Sequence, residues 1–166
     1  MKTLCLVRHA TAENNYSYDE DLIRPLQECG CDDAKRMAKN LANCPFQPQL
    51  IIASPAKRTQ ETARIFAAAY NINASAIKTV EKIYEASVEN LLDVIQAIDD
   101  QYDKVLLVGH NPGISELGNY FIQNVTANLP TCGILCLKFA TDSWSEILMT
   151  NAELVLNDWP RKDKIA

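Results

Sequence analysis

Apolar residues along this chain fall in short runs, and between the runs they recur at helical spacing. Thr3–Val7, Leu50–Ala53 and Lys104–Val108 are nearly continuous apolar stretches, the pattern of strands covered on both faces. Cys31–Leu41 carries Ala34, Met37, Ala38 and Leu41, and Val88–Ile98 carries Leu91, Leu92, Ile95 and Ile98. Both spacings predict amphipathic helices. Ser54-Pro55 and Asn111-Pro112 each come just after a strand. Each predicts a helix start, with the polar residue as N-cap and proline at the first helical position. The two helices are expected to reach Tyr70 and Ile122. Lys78–Val80 reads as a weaker strand, and residues 10–30 as a polar connection. Ile134–Phe139 and Glu146–Met149 predict two further strands, joined by a hairpin-like loop over residues 140–145.

Alternating strands and helices predict an α/β fold: three layers, α/β/α, around a mostly parallel central sheet. The last two strands would extend one edge as a C-terminal antiparallel hairpin. No repeat, low-complexity stretch or linker interrupts the pattern, so residues 1–166 read as a single domain. Such a sheet carries three polar segments to one carboxyl edge, where ligands of α/β proteins bind. These are Arg8-His9, Ser54 to Arg58, and Gly109-His110.

Composition narrows the partners. With 48% hydrophobic and 22% charged residues the chain resembles an ordinary soluble globular protein. Its net charge of −5 offers no global footprint for nucleic acid or an anionic membrane, and neither partner is expected. An anionic ligand would have to be held by local arginines against that field. Leu4 to Val7 before Arg8 is too short for a signal-peptide core, and no run approaches the ~20 apolar residues of a membrane span, so a cytoplasmic location is expected. Six cysteines stand at 5, 29, 31, 44, 132 and 136. Their spacing suits neither a zinc site nor, without a secretory signal, disulfides, and they read as reduced structural thiols. No cysteine is followed by five residues and an arginine, which excludes the cysteine-nucleophile phosphatase mechanism.

The candidate chemistry rests on the only two histidines, His9 and His110. Each ends an apolar run. A neutral imidazole can attack phosphorus, and arginines beside it can hold phosphoryl oxygens. His9, preceded by Arg8, is the candidate nucleophile; taken alone it reads as a strand-end histidine bonded to backbone. Arg58 lies in the first turns of the helix after Ser54-Pro55, where a guanidinium and a helix N-terminus both favour an anion; taken alone it is a surface arginine paired with Glu61 or Thr62. His110, between Gly109 and Asn111-Pro112, is placed to donate to a phosphoryl oxygen, protonated once phosphate is bound. Two histidines without acidic or cysteine partners at ligand spacing make a metal site unexpected, and no Gly-rich strand-to-helix loop supports a nucleotide site. No metal and no cofactor are expected.

Together, Arg8-His9, Ser54-Pro55 with Arg58-Thr59 and Thr62-Ala63, and Gly109-His110 resemble the histidine phosphatase superfamily, which includes the cofactor-dependent phosphoglycerate mutases. Arg8-His9-Ala10, Asp21-Leu22-Ile23-Arg24-Pro25-Leu26 with Gly30, and Asp158-Trp159-Pro160 are similar to its short SixA-type branch of phosphohistidine phosphatases. The resemblance implies a phosphoglycerate mutase-like fold and a phosphohistidine intermediate on His9. It also implies that Arg8, Arg58 and His110 hold the phosphoryl group. Larger relatives use a glutamate as general acid. Here the corresponding stretch is Tyr84-Glu85-Ala86, where the short branch reads Tyr-x-Ala, so Glu85 is either that acid or a solvated loop carboxylate. Arg24 is either a further phosphate-site cation or a surface partner of Asp19, Glu20 or Asp21. The substrate expected is phosphohistidine on a protein partner. The alternatives are a small phosphorylated molecule or phosphoserine/threonine with Glu85 as acid, and a non-catalytic phospho-binding role. Short connections over residues 10–30 and 70–90 predict an open crevice.

Overall fold

Strand β4 (Lys104–Gly109) is inserted between β1 (Lys2–Arg8) and β2 (Leu50–Ala53), and this order builds the functional edge of the molecule. The computed structural model describes residues 1–161. Its sheet has six strands in the order β3-β2-β4-β1-β5-β6, with β3 at Lys78–Thr79, β5 at Ile134–Phe139 and β6 at Ala152–Asp158. β1, β2, β3 and β4 run parallel, while β5 pairs antiparallel with both β1 and β6. The expected α/β architecture, with its antiparallel hairpin at one edge, is the one observed.

Strand residues alternate between two buried layers, as the two-residue period of a strand requires. Cys5, Val7, Ile51, Leu106 and Val108 pack against helices α1 (Glu28–Ala42) and α2 (Lys57–Ala69). Leu4, Leu6, Ile52, Val105 and Leu107 pack on the other face, against α3 (Val88–Gln96) and α4 (Gly113–Phe121). Apolar cover on both faces is why these strands read as continuous hydrophobic runs. Among the described residues, no helix is long and apolar enough to cross a membrane.

The structure corrects three local expectations. Residues Trp144–Met149 form a 3-10 helix, and the last strand comes later, at Ala152–Asp158. Trp144 and Ile147 are fully buried, and Trp144 is tied to the turn before β4: its N–H donates to Asp100 Oδ1 (2.8 Å) and its Nε1 to the Tyr102 carbonyl (2.7 Å). The true edge strand keeps Leu154 and Val155 exposed, so burial leaves it no clear periodic signal. The polar connection over residues 10–30 is not featureless. It holds a 3-10 helix at Tyr18–Ile23 and a bridge between Ala12 and Leu26, and α1 begins at Glu28. Finally, Cys5 and Cys136 are joined by a disulfide instead of standing as reduced thiols. They face each other directly in the β1–β5 register, a pairing that alternation with apolar neighbours cannot reveal.

Gly30 holds the segment after β1 close to α1. A Cβ at this position would lie 2.2 Å from the Thr11 carbonyl oxygen, so only glycine lets the helix pass beneath that backbone.

Candidate active site

Arg8 lies opposite Gly109 in the β1–β4 register, so His9 and His110 leave the sheet side by side. Their ring centroids are 5.4 Å apart, edge to face. The His9 N–H donates to the Gly109 carbonyl (3.0 Å), and the His9 carbonyl accepts from Cys132 N–H (3.0 Å). On the other side of β4, Ala53 lies opposite Val108, which brings Ser54 to His110.

Hydrogen bonds fix both imidazole tautomers. His9 Nδ1 lies 2.7 Å from the Ala10 carbonyl oxygen. A carbonyl can only accept, so Nδ1 carries the proton and Nε2 is the nitrogen left available in the cleft that His9 lines. Arg58 Nη2 lies 3.2 Å from His110 Nδ1. A guanidinium can only donate, so His110 Nδ1 accepts, and its Nε2 donates to Ser54 Oγ (2.8 Å). His110, with one ring nitrogen accepting, is therefore neutral, and the lowered pKa of His9 keeps that ring neutral as well. Burial pushes the His9 pKa down to about 4; the Ala10 bond opposes the shift, and Arg58 and Arg8 add to it. Burial, followed by the charge of Arg58, pushes His110 down to about 3.

Arg58 enters from the second position of α2 and is only 5% exposed. It does not pair with Glu61. Its counter-ion is Asp21, on the 3-10 helix at Tyr18–Ile23: Nη1 donates to the Asp21 carbonyl (2.8 Å) and Nη2 to Asp21 Oδ2 (3.0 Å). Tyr84 donates its hydroxyl to the same carboxylate oxygen at 2.5 Å. Burial alone would raise the Asp21 carboxyl, but Tyr84 and then Arg58 more than offset it, and the pKa lies below the ordinary carboxylate range. Tyr84 is pushed up to about 12, mainly by the bond it gives Asp21.

A cleft of about 650 Å³ opens over these groups. Arg8 lines it while Nη1 donates to the Leu129 carbonyl (3.0 Å), which leaves further guanidinium donors for a ligand. Arg24 lines it as well. Its Nη2 is 3.3 Å from Asp21 Oδ1, and its Nη1 donates to the Glu13 carbonyl (3.1 Å). Glu85 stands at the rim, exposed, with its backbone in the left-handed region at φ 52°. Three arginines, Arg8, Arg24 and Arg58, line the cleft in a chain of net charge −5, with Asp21 paired to two of them and the exposed Glu85 and Glu116 also on its lining. Among the described residues, no group of three or more His, Cys, Asp or Glu is placed to hold a metal ion.

Three residues at this site have no place in the sequence reading of the chemistry. Ser54, expected as an N-cap, holds His110, and α2 starts only at Lys57. Asp21 figured only as a surface partner of Arg24, yet it is the counter-ion of Arg58. Tyr84 is its second ligand. At the other helix start, α4 begins at Gly113, and Asn111 Oδ1 accepts from Ser115 N–H (3.2 Å) and Oγ (2.8 Å). Gly113 is required there, since a Cβ would lie 2.6 Å from the Ala86 carbonyl oxygen, across the cleft wall.

Comparison with known proteins gives the family and the fold. The model of the histidine phosphatase superfamily (branch 1) matches residues 4–93. An uncharacterised chloroplast protein of Arabidopsis thaliana is 28% identical over 160 residues, which is 87% of this chain and 70% of that protein. A protein of Agrobacterium tumefaciens assigned as phosphohistidine phosphatase SixA superposes with a TM-score of 0.81 at 26% identity, covering 96% of this chain and 98% of that one. The protein histidine phosphatase SixA complexed with tungstate shares the fold, with a TM-score of 0.78 at 20% identity over 95% of this chain and 96% of that one. The chain thus belongs to the histidine phosphatase superfamily, and with it to the phosphatases that work through a histidine nucleophile.

Proposed function

We propose that the chain removes phosphoryl groups from histidine side chains of a partner protein, with His9 Nε2 as the attacking atom. Arg8, Arg58 and His110 hold the phosphoryl oxygens, and Arg24 adds a cation at the mouth. With its pKa near 4, His9 is neutral at cellular pH and ready to attack. A weakly basic imidazole also leaves easily, which favours hydrolysis of the His9 phosphohistidine by water in the second step. An entering dianion places negative charge beside His110, reversing the influence of Arg58, so that His110 takes up a proton and donates to a phosphoryl oxygen.

The observation that carries the choice of substrate is the state of the carboxyl groups. Asp21 is held as an anion by Tyr84 and Arg58, and the other two carboxyl groups on the lining, Glu85 and Glu116, are exposed. Asp21, the carboxyl nearest the imidazoles' arginine, is therefore not set to give a proton to a leaving group. An alkoxide needs one, because its conjugate acid is very weak. An imidazole, with a reference pKa near 6.5, leaves as a neutral ring once its second nitrogen has taken a proton from solvent. Transfer from one imidazole to another is also close to symmetric in energy. Cleft size does not choose, since about 650 Å³ falls within the range of small-molecule pockets.

One observation favours the rival reading, a small phosphomonoester or phosphoserine/threonine with Glu85 as acid. A left-handed backbone at a non-glycine residue costs energy and clusters at functional sites. Comparing N-phosphohistidine with an alkyl phosphate in wild type and Glu85→Gln decides between them. We expect kcat/KM to favour N-phosphohistidine by about a hundredfold, ~2.7 kcal/mol, and to change less than about twofold in Glu85→Gln. A large loss on the alkyl phosphate in that variant, with no preference for the N–P bond in wild type, assigns the acid role to Glu85.

A further inference from the structure

The catalytic cleft has a neighbour. A second cleft of about 550 Å³ shares Thr11 and Thr131 with it, and their hydroxyls, hydrogen-bonded at 3.1 Å, form the saddle between the two. The second cleft is lined by Pro130 and, just beyond β6, by Trp159 and Pro160. The charges that line it are already paired. Arg161 lies 4.4 Å over the Trp159 ring and 3.6 Å from Asp158, and Asp33 holds Arg36 at 2.9 Å. The first cleft is lined by three arginines and two histidines, whereas the second offers aromatic and proline surface with hydroxyl groups at its edge. That surface suits the apolar and hydrogen-bonding groups of a polypeptide, not a second anion.

One strap of chain serves both clefts. The Leu129 carbonyl accepts from Arg8 Nη1 (3.0 Å), Cys132 N–H donates to the His9 carbonyl (3.0 Å), and the Gly133 carbonyl accepts from Arg8 N–H (3.1 Å). Pro130 and Thr131, on the same strap, line the second cleft. A small monophosphate is accommodated by the first cleft alone. A phosphorylated side chain brings its own polypeptide with it, and the Thr11–Thr131 saddle leads from the first cleft directly into the second.

We propose that the second cleft is a docking subsite for the protein that presents the phosphorylated side chain, with Trp159 as its anchor. This inference rests on the protein-phosphohistidine reading above and adds where that protein lies. It also gives a role to Asp158-Trp159-Pro160, which the phosphate chemistry does not use.

The test compares two probes: N-phosphohistidine, and a purified phosphotransfer domain charged on its histidine with phosphoramidate. Trp159→Ala should raise KM for the phosphorylated domain by about tenfold, with kcat and the kinetics of N-phosphohistidine within about twofold of wild type. Trp159→Phe should recover most of the loss. Asp33→Arg, which fills the cleft from α1, should give the same selective effect and decides the matter if Trp159→Ala unfolds at the assay temperature. Equal losses on both probes make Trp159 a support of the catalytic cleft and overturn the subsite. No loss on either probe overturns it too, as does a wild type that shows no lower KM for the domain than for the free amino acid. Turnover of alkyl phosphates with neither phosphohistidine probe refutes the substrate reading itself, a different failure.

Discussion

Arg58 is the residue on which the two histidines and the acidic arm converge. Its guanidinium is buried, and a buried charge is tolerated only where a partner offsets its lost hydration. Asp21 supplies the partner and Tyr84 orients it. Tyr84→Phe removes one hydrogen bond to a charged group, an interaction worth ~1.5–3 kcal/mol when direct and less when it acts through Asp21. We expect kcat/KM to fall about fivefold, near 1 kcal/mol. Asp21→Ala, which strips Arg58 of its counter-ion, should cost about a hundredfold. Wild-type rates in both variants would show that Arg58 keeps its place unaided. At His9 the expectation is covalent. Substrate labelled on phosphorus should leave a base-stable, acid-labile label on wild type and none on His9→Ala, and label on serine or cysteine would end the histidine assignment. Arg8, His9, Arg58 and His110 were all legible in the chain, because each sits at a fixed offset from an apolar run. The roles of Asp21, Tyr84 and Ser54 were not, since their partners lie 37, 63 and 56 residues away, and spacing carries no record of such contacts.

At the level of elements, the ends of β1, β2 and β4 fix the site, and α1 supports the backbone just past His9. The buried strands were readable because cover on both faces leaves an unbroken apolar run. The β1–β5 disulfide and β6 were not, because register and a half-exposed edge depend on pairing, which local pattern does not encode. Gly30 shows how an element reaches the site from a distance. In Gly30→Ala the new methyl meets the Thr11 carbonyl oxygen, which lies 2.2 Å from where Cβ would stand. Either α1 or the segment after His9 must shift. Overpacking of this kind costs ~1–3 kcal/mol. Urea denaturation should show that loss, and kcat should fall with it because the displaced backbone adjoins the Ala10 carbonyl that sets the His9 tautomer. A variant as stable and as active as wild type would mean that the helix yields without moving the site.

Taken as a whole, the molecule keeps two neutral histidines in an arginine-lined cleft, and this couples its stability to pH. In the unfolded chain each imidazole titrates near 6.5. In the folded protein His9 and His110 are pushed down to about 4 and about 3. Between those values the unfolded chain binds protons that the folded protein refuses, so acidification favours unfolding. The contribution is complete above about pH 6.5 and is lost progressively as the pH falls toward the folded values. Two such groups give roughly 3–4 kcal/mol between pH 7 and 5. That is a large share of the ~5–15 kcal/mol total stability of a typical protein. Asp21 acts in the same direction but lower down. Its carboxyl lies below the ordinary carboxylate range, so its share is lost only as the pH falls through that range. Denaturation by urea at pH 7 and pH 5, in buffer without phosphate because a bound anion would itself stabilise the fold, separates the two. Wild type should lose several kcal/mol over this interval, and His110→Gln about half as much. If the variant loses as much as wild type, the acid sensitivity lies outside the active site, and the desolvation account of His110 fails with it.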